Sequence, residues 1–371
     1  MQQFRMKPTI LLYERCEDFF MEYRIGSGDL LITSAHTYEN YLKNYSNGAT
    51  VVNLRNYGNG EPNDLMVEAI VQDLKGASYH RVIAVGGGSV LDVAKLFVLK
   101  NITPVQELFE KKLDIIRDKE LIIIPTTCGT GSEVTNISVI ELTRRKTKLA
   151  LATDELFADY AVLIPELLDT LPYSGFAASS LDAFIHAIES YLSPKANAFT
   201  EMYSEKAMEL ILKGYLQIAA NGKDSRIPIQ KDFLLAAAFA GISFGNAGCG
   251  AVHALSYPLG TLFHVAHGEA NYAVFHGVFH KYMSICPEGK IKKLNNFLAE
   301  ILGCESSMVY SKIDALFHMI LPEKSLRSYG VTKPLIEEFA ESVVKNQGRL
   351  LANSYIELKK EDITDIYYSV Y

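Results

Sequence analysis

The chain has 371 residues, of which 49% are hydrophobic and 21% are charged, and its formal net charge is −7. A chain of this length exceeds what one hydrophobic core usually supports, so we expect two domains. The negative charge does not favour binding to nucleic acid or to an anionic membrane. No run approaches the ~20 apolar residues of a membrane span. The start MQQFRMKPTI lacks the apolar core of a signal peptide.

Short β-rich segments alternate with helical segments in the first half of the chain. Bounded by Gly, Asn, Asp or Pro, they predict strands at DLLIT (29–33), ATVVN (49–53), RVIAV (81–85) and LIIIP (121–125). Residues 64–77 keep a helical period, and YAVLIP (160–165) is a further apolar run that closes this half. Near-continuous apolar strands separated by helices indicate a parallel sheet that is covered on both faces.

Helical stretches dominate from about Ser174 onward, and β-branched runs become rare. The predicted helices cover 177–192, 200–220, 230–244, 290–302, 306–320, 334–353 and 361–370. Helix breakers divide these stretches at Pro194, Gly222, Pro228, Pro258 and Pro287. The sequence therefore predicts an α/β domain over residues 1–175 and an all-helical domain over residues 176–371.

Two loops rich in glycine and hydroxyl groups follow predicted strands: GGGS (86–89) after RVIAV, and TTCGTGS (126–132) after LIIIP. A glycine turn between a strand and a helix lets the backbone approach a phosphate, which the helix N-terminus attracts. The alternative is a structural turn in the first loop and a helix cap before Glu133 in the second. A cap needs one hydroxyl, and the second loop offers six hydroxyl or glycine positions. We therefore expect a dinucleotide site.

Four residues in the helical half predict a metal site. Asp182 and His186 lie four apart in SSLDAFIHAIESYL, so both project from one helix face; a pair of this kind by itself is most often a satisfied polar contact. His253 follows in FGNAGCGAVHALSYPLG, and His267 opens HGEANYAVF. These segments are poor in charge, and buried polar groups are costly unless they are paired or ligated. Three imidazoles and a carboxylate suit a divalent metal, either Fe²⁺ or Zn²⁺.

Six histidines remain outside this quartet. His264 lies close to it in sequence and is a further candidate for the site. The others lack this context and are expected to be ordinary surface or packing residues: His36, His80, His276, His280 and His318.

Five motifs together, GGGSVLDVAK, PTTCGTGSEVT, DAFIHAIESYLS, GNAGCGAVHALSYPLG and HGEAN, resemble the iron-containing (group III) alcohol dehydrogenase family in order and spacing over most of the chain. The resemblance implies a dehydroquinate synthase-like fold, with an α/β domain that binds a nicotinamide dinucleotide and an all-α domain that binds the metal. It also implies a metal-dependent oxidoreductase that interconverts 4-hydroxybutyrate and succinate semialdehyde with NAD(H). The alternative is another small alcohol or diol, such as butanol, propanediol or glycerol.

The family pattern also implies roles for individual residues. It makes Asp182, His186, His253 and His267 the metal ligands. Positions expected to contact the cofactor are Asn63, Gly87, Gly88, Ser89, Asp92, Thr126, Thr127, Thr130, Thr135 and Lys148.

The chain departs from the family pattern at two positions. Ser34 stands where many relatives have an aspartate that contacts the adenosine ribose; without that carboxylate a 2′-phosphate is not repelled, so NADP is not excluded. Tyr257 stands where many relatives have a histidine that is proposed to transfer a proton. A tyrosine hydroxyl can take part in a proton relay, but tyrosines ordinarily titrate near pH 10.

A carboxylated substrate also requires a cation or donor to hold its distal carboxylate. Arg144, Arg145 and Lys148 are candidates by charge, and His264 by its position in the sequence. For the two arginines, a solvated hairpin tip is the favoured interpretation of RRKTK.

Two other classes of protein compete with this interpretation. Glycerol dehydrogenases and dehydroquinate synthases share the two-domain plan, but the latter needs many cations for a phosphorylated substrate, and residues 240–275 carry little charge. A regulatory protein that binds nucleotides but has lost activity is expected to lack metal-binding residues, and all four are present in this chain.

The five cysteines are scattered, without a CxxC pair, which is typical of a reducing compartment. We therefore expect a cytoplasmic enzyme, homodimeric by family resemblance.

Overall fold

The computed structural model describes residues 3–58, 60–145 and 147–371. This part of the chain divides into two compact units. The α/β unit is Met6–Leu171, and the helical unit is Pro172–Tyr371 together with the N-terminal segment that ends at Arg5.

The described part of the α/β unit contains eight strands. These are β1 (Thr9–Leu12), β2 (Asp29–Thr33), β3 (Thr50–Asn53), β4 (Arg81–Gly86), β5 (Glu120–Pro125), β6 (Ile137–Leu142), β7 (Thr147–Ala152) and β8 (Tyr160–Leu163). Six of them form a parallel sheet in the order β1-β8-β5-β4-β2-β3, and β6 and β7 form an antiparallel hairpin. The predicted parallel sheet is confirmed.

Apolar side chains from successive strand residues enter two different cores, one on each face of this sheet. In β4, Val82 and Ala84 belong to one buried cluster, whereas Ile83 and Val85 belong to the other. Strands that are buried on both faces must be apolar at every position, which explains the continuous runs in the sequence. The helices of this unit are α1 (Cys16–Glu22), α2 (Ala35–Thr37), α3 (Asp64–Asp73), α4 (Gly88–Leu96) and α5 (Val105–Phe109).

The strand order reverses beside β2. The chain passes from β2 to β3 on one side of β2, and then to β4 on its other side. In open parallel sheets, ligands bind outside the carboxyl ends of the strands at such a switch point. The loops that follow β2, β4 and β5 leave the same edge, since Thr33 pairs with Val85 and Gly86 with Pro125.

The helical unit is built from ten helices within the described residues. These are α6 (Tyr173–Leu192), α7 (Ala198–Asn221), α8 (Gln230–Ala247), α9 (Ala251–Phe263), α10 (His267–Ile285), α11 (Lys290–Leu302), α12 (Val309–Ile320), α13 (Lys333–Asn346), α14 (Gly348–Leu351) and α15 (Lys360–Ser369). Helix α6 is the central helix of the unit and packs against α7, α8 and α10. The domain boundary predicted between residues 175 and 176 falls inside α6.

One segment, Lys223–Ala247, is long and apolar enough to cross a membrane by length and composition, and 56% of its most apolar window is buried. It contains α8, which packs against α6 and α7. Core helices have this property, so the segment is weak evidence for a span.

Two helices, α9 and α10, were not among those predicted. Pro258 does not separate helices as expected, because it lies inside α9. Helix α9 begins after Gly250 and α10 begins after Ala266, so the helix boundaries in this region lie at these residues and not at Pro258. The predicted helix 334–353 is divided into α13 and α14 around Gln347.

Candidate functional site

The structure brings the four predicted metal ligands together within the helical unit. Asp182 and His186 come from α6, His253 from the first turn of α9 and His267 from the start of α10. One ligand atom from each lies within 4.8 Å of all the others. The first three residues are buried, and the His267 side chain is 36% exposed, so the cluster is open on the His267 side.

The distances within the quartet suit a shared ion better than direct hydrogen bonds. The Asp182 carboxylate lies 3.9 Å from His186 Nδ1, 3.8 Å from His253 Nε2 and 3.7 Å from His267 Nε2. Hydrogen bonds between nitrogen and oxygen are shorter, at about 2.7–3.2 Å. An ion that binds each atom at about 2.0–2.2 Å can reach both members of every pair.

Glu189 fixes the orientation of His253. Its carboxylate accepts hydrogen bonds from the backbone N–H of Gly250 (3.0 Å) and Val252 (2.6 Å) and from His253 Nδ1 (2.6 Å). A carboxylate oxygen accepts these hydrogen bonds, so Nδ1 is the nitrogen of His253 that donates, and Nε2 is the nitrogen that faces the quartet. Carboxylates orient metal-binding histidines in this way.

Asn271 positions the other side of the quartet. Its Nδ2 donates to Asp182 Oδ1 at 2.7 Å and lies 3.3 Å from His267 Nε2. Burial opposes ionisation of Asp182, but the three neighbouring imidazoles and this amide outweigh it and hold the pKa of the carboxyl below its ordinary value. Asp182 is therefore an anion at neutral pH, as a ligand for a cation must be.

A close backbone contact sets the spacing between α6 and α10. A Cβ at Gly268 would lie 2.1 Å from the carbonyl oxygen of Ala178 and 3.2 Å from Cβ of Asp182. Only glycine permits this approach. The contact therefore holds His267 beside Asp182.

The residues present fit a divalent metal. His253 Nε2 is buried and has no hydrogen-bond partner among the described residues, although Glu189 has already fixed its lone pair toward the cluster. A buried acceptor without a partner costs about 1–3 kcal/mol. A cation bound to this atom removes that cost, and the set of three imidazoles and one carboxylate is one that iron and zinc accept.

The two other residues predicted near the metal lie differently. The ring centroid of Tyr257 is 6.5 Å from that of His267, and the side chain is half-buried. His264 ends α9 in the left-handed conformation (φ 52°) and is exposed. It is not one of the four clustered residues.

The two loops predicted to bind phosphate interlock in the α/β unit. Gly87 is the N-cap residue of α4, and the first N–H groups of a helix have few partners within it. A Cβ at Gly88 would lie 2.7 Å from Cγ2 of Thr130, and one at Gly87 would lie 3.4 Å from Cγ2 of Thr127. The absence of side chains lets the threonine loop pack directly over the N-terminus of α4.

Asp92 and Thr135, two of the residues predicted to contact the cofactor, form hydrogen bonds within the protein. Asp92 accepts a hydrogen bond from the Ser132 hydroxyl at 2.6 Å and another from the N–H of Val139 at 2.9 Å. Thr135 is buried, and its hydroxyl receives a hydrogen bond from Lys95 Nζ at 3.1 Å. These residues tie α4 to the threonine loop and to β6.

Lys95 belongs to this network and Glu133 interacts electrostatically with Lys95; neither residue was predicted to take part. Lys95 Nζ donates to the Ser132 hydroxyl and to the carbonyl of Ile137, both at 2.7 Å. Burial lowers the pKa of Lys95 to about 8 and raises that of Glu133 to about 7. The sequence signal was a lysine three residues after an aspartate in an otherwise apolar helical segment, VLDVAKLF.

Three other predicted residues form contacts within the α/β unit. Ser34 follows β2 and caps α2, accepting from the N–H of Thr37 at 3.2 Å. Asn63 caps α3, with its side chain accepting from the N–H of Met66 at 2.9 Å. Lys148 on β7 pairs with Glu61.

The arginines of the RRKTK segment lie where the hairpin interpretation expects them. Arg144 and Arg145 are exposed in the turn between β6 and β7, and Arg145 pairs with Glu110. Lys146 lies outside the described residues.

Comparison with known proteins identifies the family. The family model described as iron-containing alcohol dehydrogenase matches residues 19–165, and the model of the C-terminal part of the same family matches residues 176–371. The chain belongs to the iron-containing alcohol dehydrogenase family. A 4-hydroxybutyrate dehydrogenase of Clostridium kluyveri is 48% identical over 371 residues, which cover 100% of both chains. A long-chain-alcohol dehydrogenase of Geobacillus thermodenitrificans is 35% identical over 81% of this chain and 77% of its own.

Solved structures of family members show the same fold. A 1,3-propanediol oxidoreductase matches with a TM-score of 0.86 at 23% identity, covering 100% of both chains. A sulfoacetaldehyde reductase from Bifidobacterium kashiwanohense, in complex with NAD⁺, matches with a TM-score of 0.84 at 21% identity, covering 100% of this chain and 98% of its own. The dehydroquinate synthase-like fold implied by the resemblance is confirmed.

Proposed function

We propose that this enzyme interconverts 4-hydroxybutyrate and succinate semialdehyde with NAD(H) in a metal-dependent reaction. The observation that carries the proposal is the 48% identity over the full length of the Clostridium kluyveri 4-hydroxybutyrate dehydrogenase. The clustered quartet adds chemical support, since a divalent ion held there would act as a Lewis acid on the substrate oxygen.

The proposed metal ligands are Asp182, His186, His253 and His267, and the proposed ion is Fe²⁺, with Zn²⁺ as the alternative. A divalent ion held by this set supplies a Lewis acid that polarises a substrate oxygen. Glu189 keeps the His253 proton on Nδ1, and Asn271 keeps the Asp182 carboxylate oriented. The exposed side of His267 leaves room for a substrate to approach.

The proposed dinucleotide site is the interlocked pair of loops at the carboxyl edge of the sheet. A nicotinamide cofactor there supplies the hydride donor or acceptor, and NADP stays open beside NAD because Ser34 carries no charge to repel a 2′-phosphate. The N-terminus of α4 attracts the pyrophosphate. The proposed contacts are Ser34, Asn63, Gly87, Gly88, Ser89, Asp92, Thr126, Thr127, Thr130, Thr135 and Lys148, of which Asp92 and Thr135 act through the loop network described above.

Tyr257 is the proposed proton donor and acceptor. Its half-buried ring lies beside that of His267 on the open side of the quartet. Its hydroxyl can hold a hydrogen bond to the substrate oxygen or to a water chain, which is the requirement for general acid–base catalysis.

The substrate assignment is tested by comparing two aldehydes with the same carbon skeleton. Succinate semialdehyde and butyraldehyde differ in the distal carboxylate, whose recognition by a charged or donor group is worth about 1.5–3 kcal/mol. We expect kcat/KM for NADH-dependent reduction to be about 10- to 150-fold higher with succinate semialdehyde. Equal values for the two aldehydes would contradict the proposed substrate.

A second candidate function is the oxidation of another small alcohol or diol. The four metal-binding residues do not include a group that would bind a substrate carboxylate, so they suit an uncharged alcohol equally well. Relatives whose names specify other alcohols, such as the long-chain-alcohol dehydrogenase, also favour this candidate. Glycolaldehyde and dihydroxyacetone, assayed beside the pair above, distinguish this candidate: a higher kcat/KM with either would support it.

We also propose a homodimer in the cytoplasm. Edge strand β1 leaves Ile10 and Leu12 36% and 44% exposed, as an interface strand would. The five cysteines form no disulfide, in keeping with a reducing compartment. Light scattering of the purified protein measures the assembly directly, and a monomeric mass would contradict the dimer.

A further inference from the structure

A second cluster of metal-ligating side chains lies in the helical unit, away from the quartet. His276 and His280 are four residues apart on α10, and Asp314 is on α12, which packs against it. One ligand atom from each lies within 4.8 Å of the other two. The Asp314 carboxylate contacts His276 Nδ1 and lies 3.3 Å from His280 Nε2.

Glu323 stands behind this cluster as Glu189 stands behind the quartet. One of its carboxylate oxygens lies 3.3 Å from His276 Nε2. Without an ion, the contact between His276 Nδ1 and the Asp314 carboxylate holds a proton. With Nε2 protonated and held by Glu323, a cation can replace the proton on Nδ1 and bind this nitrogen. The carboxylate–histidine pair that orients metal ligands therefore occurs twice in this unit.

Tyr272 supplies an independent observation. Its side chain is 2% exposed, its ring centroid lies 5.9 Å from that of His276, and its hydroxyl has no hydrogen-bond partner among the described residues. Burial, followed by the charges of Glu323 and Asp314, raises the pKa of this phenol, so the hydroxyl stays protonated and needs an acceptor. A hydroxide bound to a cation in the cluster, which zinc supplies near neutral pH, is an acceptor of the required kind.

We infer that His276, His280 and Asp314 form a second binding site for a divalent cation of the zinc type. Two imidazoles and one carboxylate, with water in the fourth position, form a tetrahedral set that Zn²⁺ accepts. The positive charge is balanced by Asp314 and Glu323. Because its ligands come from α10 and α12, the bound ion links the helix that begins with His267 to its neighbour.

The competing occupant of this position is a proton. A charged His276 imidazolium between Asp314 and Glu323 would form an ion triad with no affinity for zinc. The two states differ in metal stoichiometry, which is independent of turnover.

The test is a Zn²⁺ titration of the purified full-length protein, with bound metal measured by native mass spectrometry and by metal analysis after dialysis. We expect two equivalents per chain in the wild type and one in H280A. His280 is 58% exposed as a side chain, so this variant is expected to fold. H267A should lose a different equivalent, and the double variant should bind none.

Two further variants make the result specific. H36A removes an exposed histidine from the α/β unit and should keep both equivalents. E323Q should keep the ligands but weaken the second equivalent by about 10- to 100-fold. One equivalent in the wild type, two in H280A, or the same loss in H36A would overturn the inference; the last outcome would indicate adventitious binding to surface histidines.

Discussion

Gly268 offers the most direct test of how the quartet is held in place. A Cβ at this position would lie 2.1 Å from the Ala178 carbonyl oxygen, whereas real Cβ contacts are essentially never under 3.0 Å. The obstacle is backbone and cannot rotate away, so G268A must move α10 from α6 by about 0.9 Å. Metal–ligand distances tolerate only about 0.2 Å. His267 and Asp182 can then no longer bind one ion with their native geometry.

We expect G268A to lose at least the 10- to 100-fold in metal affinity that displaced ligand support typically costs, along with about 1–3 kcal/mol of stability from overpacking. Chelator competition measures the affinity, and thermal unfolding measures the stability. G348A is the matched control, because a Cβ at Gly348 meets nothing within 4 Å. A folded G268A that binds metal like the wild type would refute the argument that this contact sets the ligand spacing.

Four further predictions follow from single side chains. E189Q should weaken metal binding about 10- to 100-fold, because an amide cannot hold the His253 proton as a carboxylate does; unchanged chelator competition would refute this. E133Q should reduce the pH dependence of the free energy of unfolding. Burial raises the pKa of Glu133 from 4.5 to about 7. The stability that protonated Glu133 contributes is therefore present at low pH and is lost as the pH rises through that range, by about 3 kcal/mol at most. Urea unfolding at pH 5 and pH 8 measures the change, which should be smaller in the variant than in the wild type. S34D should raise the preference of kcat/KM for NADH over NADPH, through repulsion of the 2′-phosphate; an unchanged ratio would place the ribose elsewhere. Y257F should reduce kcat about 10²- to 10⁴-fold with metal content unchanged, and full activity would exclude the tyrosine from proton transfer.

The parallel sheet could be predicted because burial on both faces leaves a simple signal in the sequence. Strand β2 has the predicted bounds, 29–33, and β4 and β5 each extend one residue beyond theirs. Strand β1 gave no comparable signal, since it is four residues long and three of its side chains are exposed at the sheet edge.

The helices that carry His253 and His267 were harder to predict than the histidines themselves. Helix α9 contains Pro258 and Gly260, which have low helix propensity, and tertiary packing overrides that preference. The supporting residues depend on contacts distant in sequence: Asn271 reaches Asp182 across 89 residues, and Glu189 reaches His253 across 64. Glu189 could have been noticed, because it is a second carboxylate after Asp182 on a mostly apolar helix.

The packing of Gly88 against Thr130 restricts which substitutions the protein can accept at these two positions during evolution. A methyl group at position 88 collides with Cγ2 of Thr130, but the nearest other atom of that threonine, Oγ1, lies 3.3 Å away. Serine at 130 keeps the hydroxyl and removes the collision. Alanine at 88 should therefore be acceptable only after that exchange, so the two positions are expected to change in a fixed order and to show strongly non-additive effects when combined.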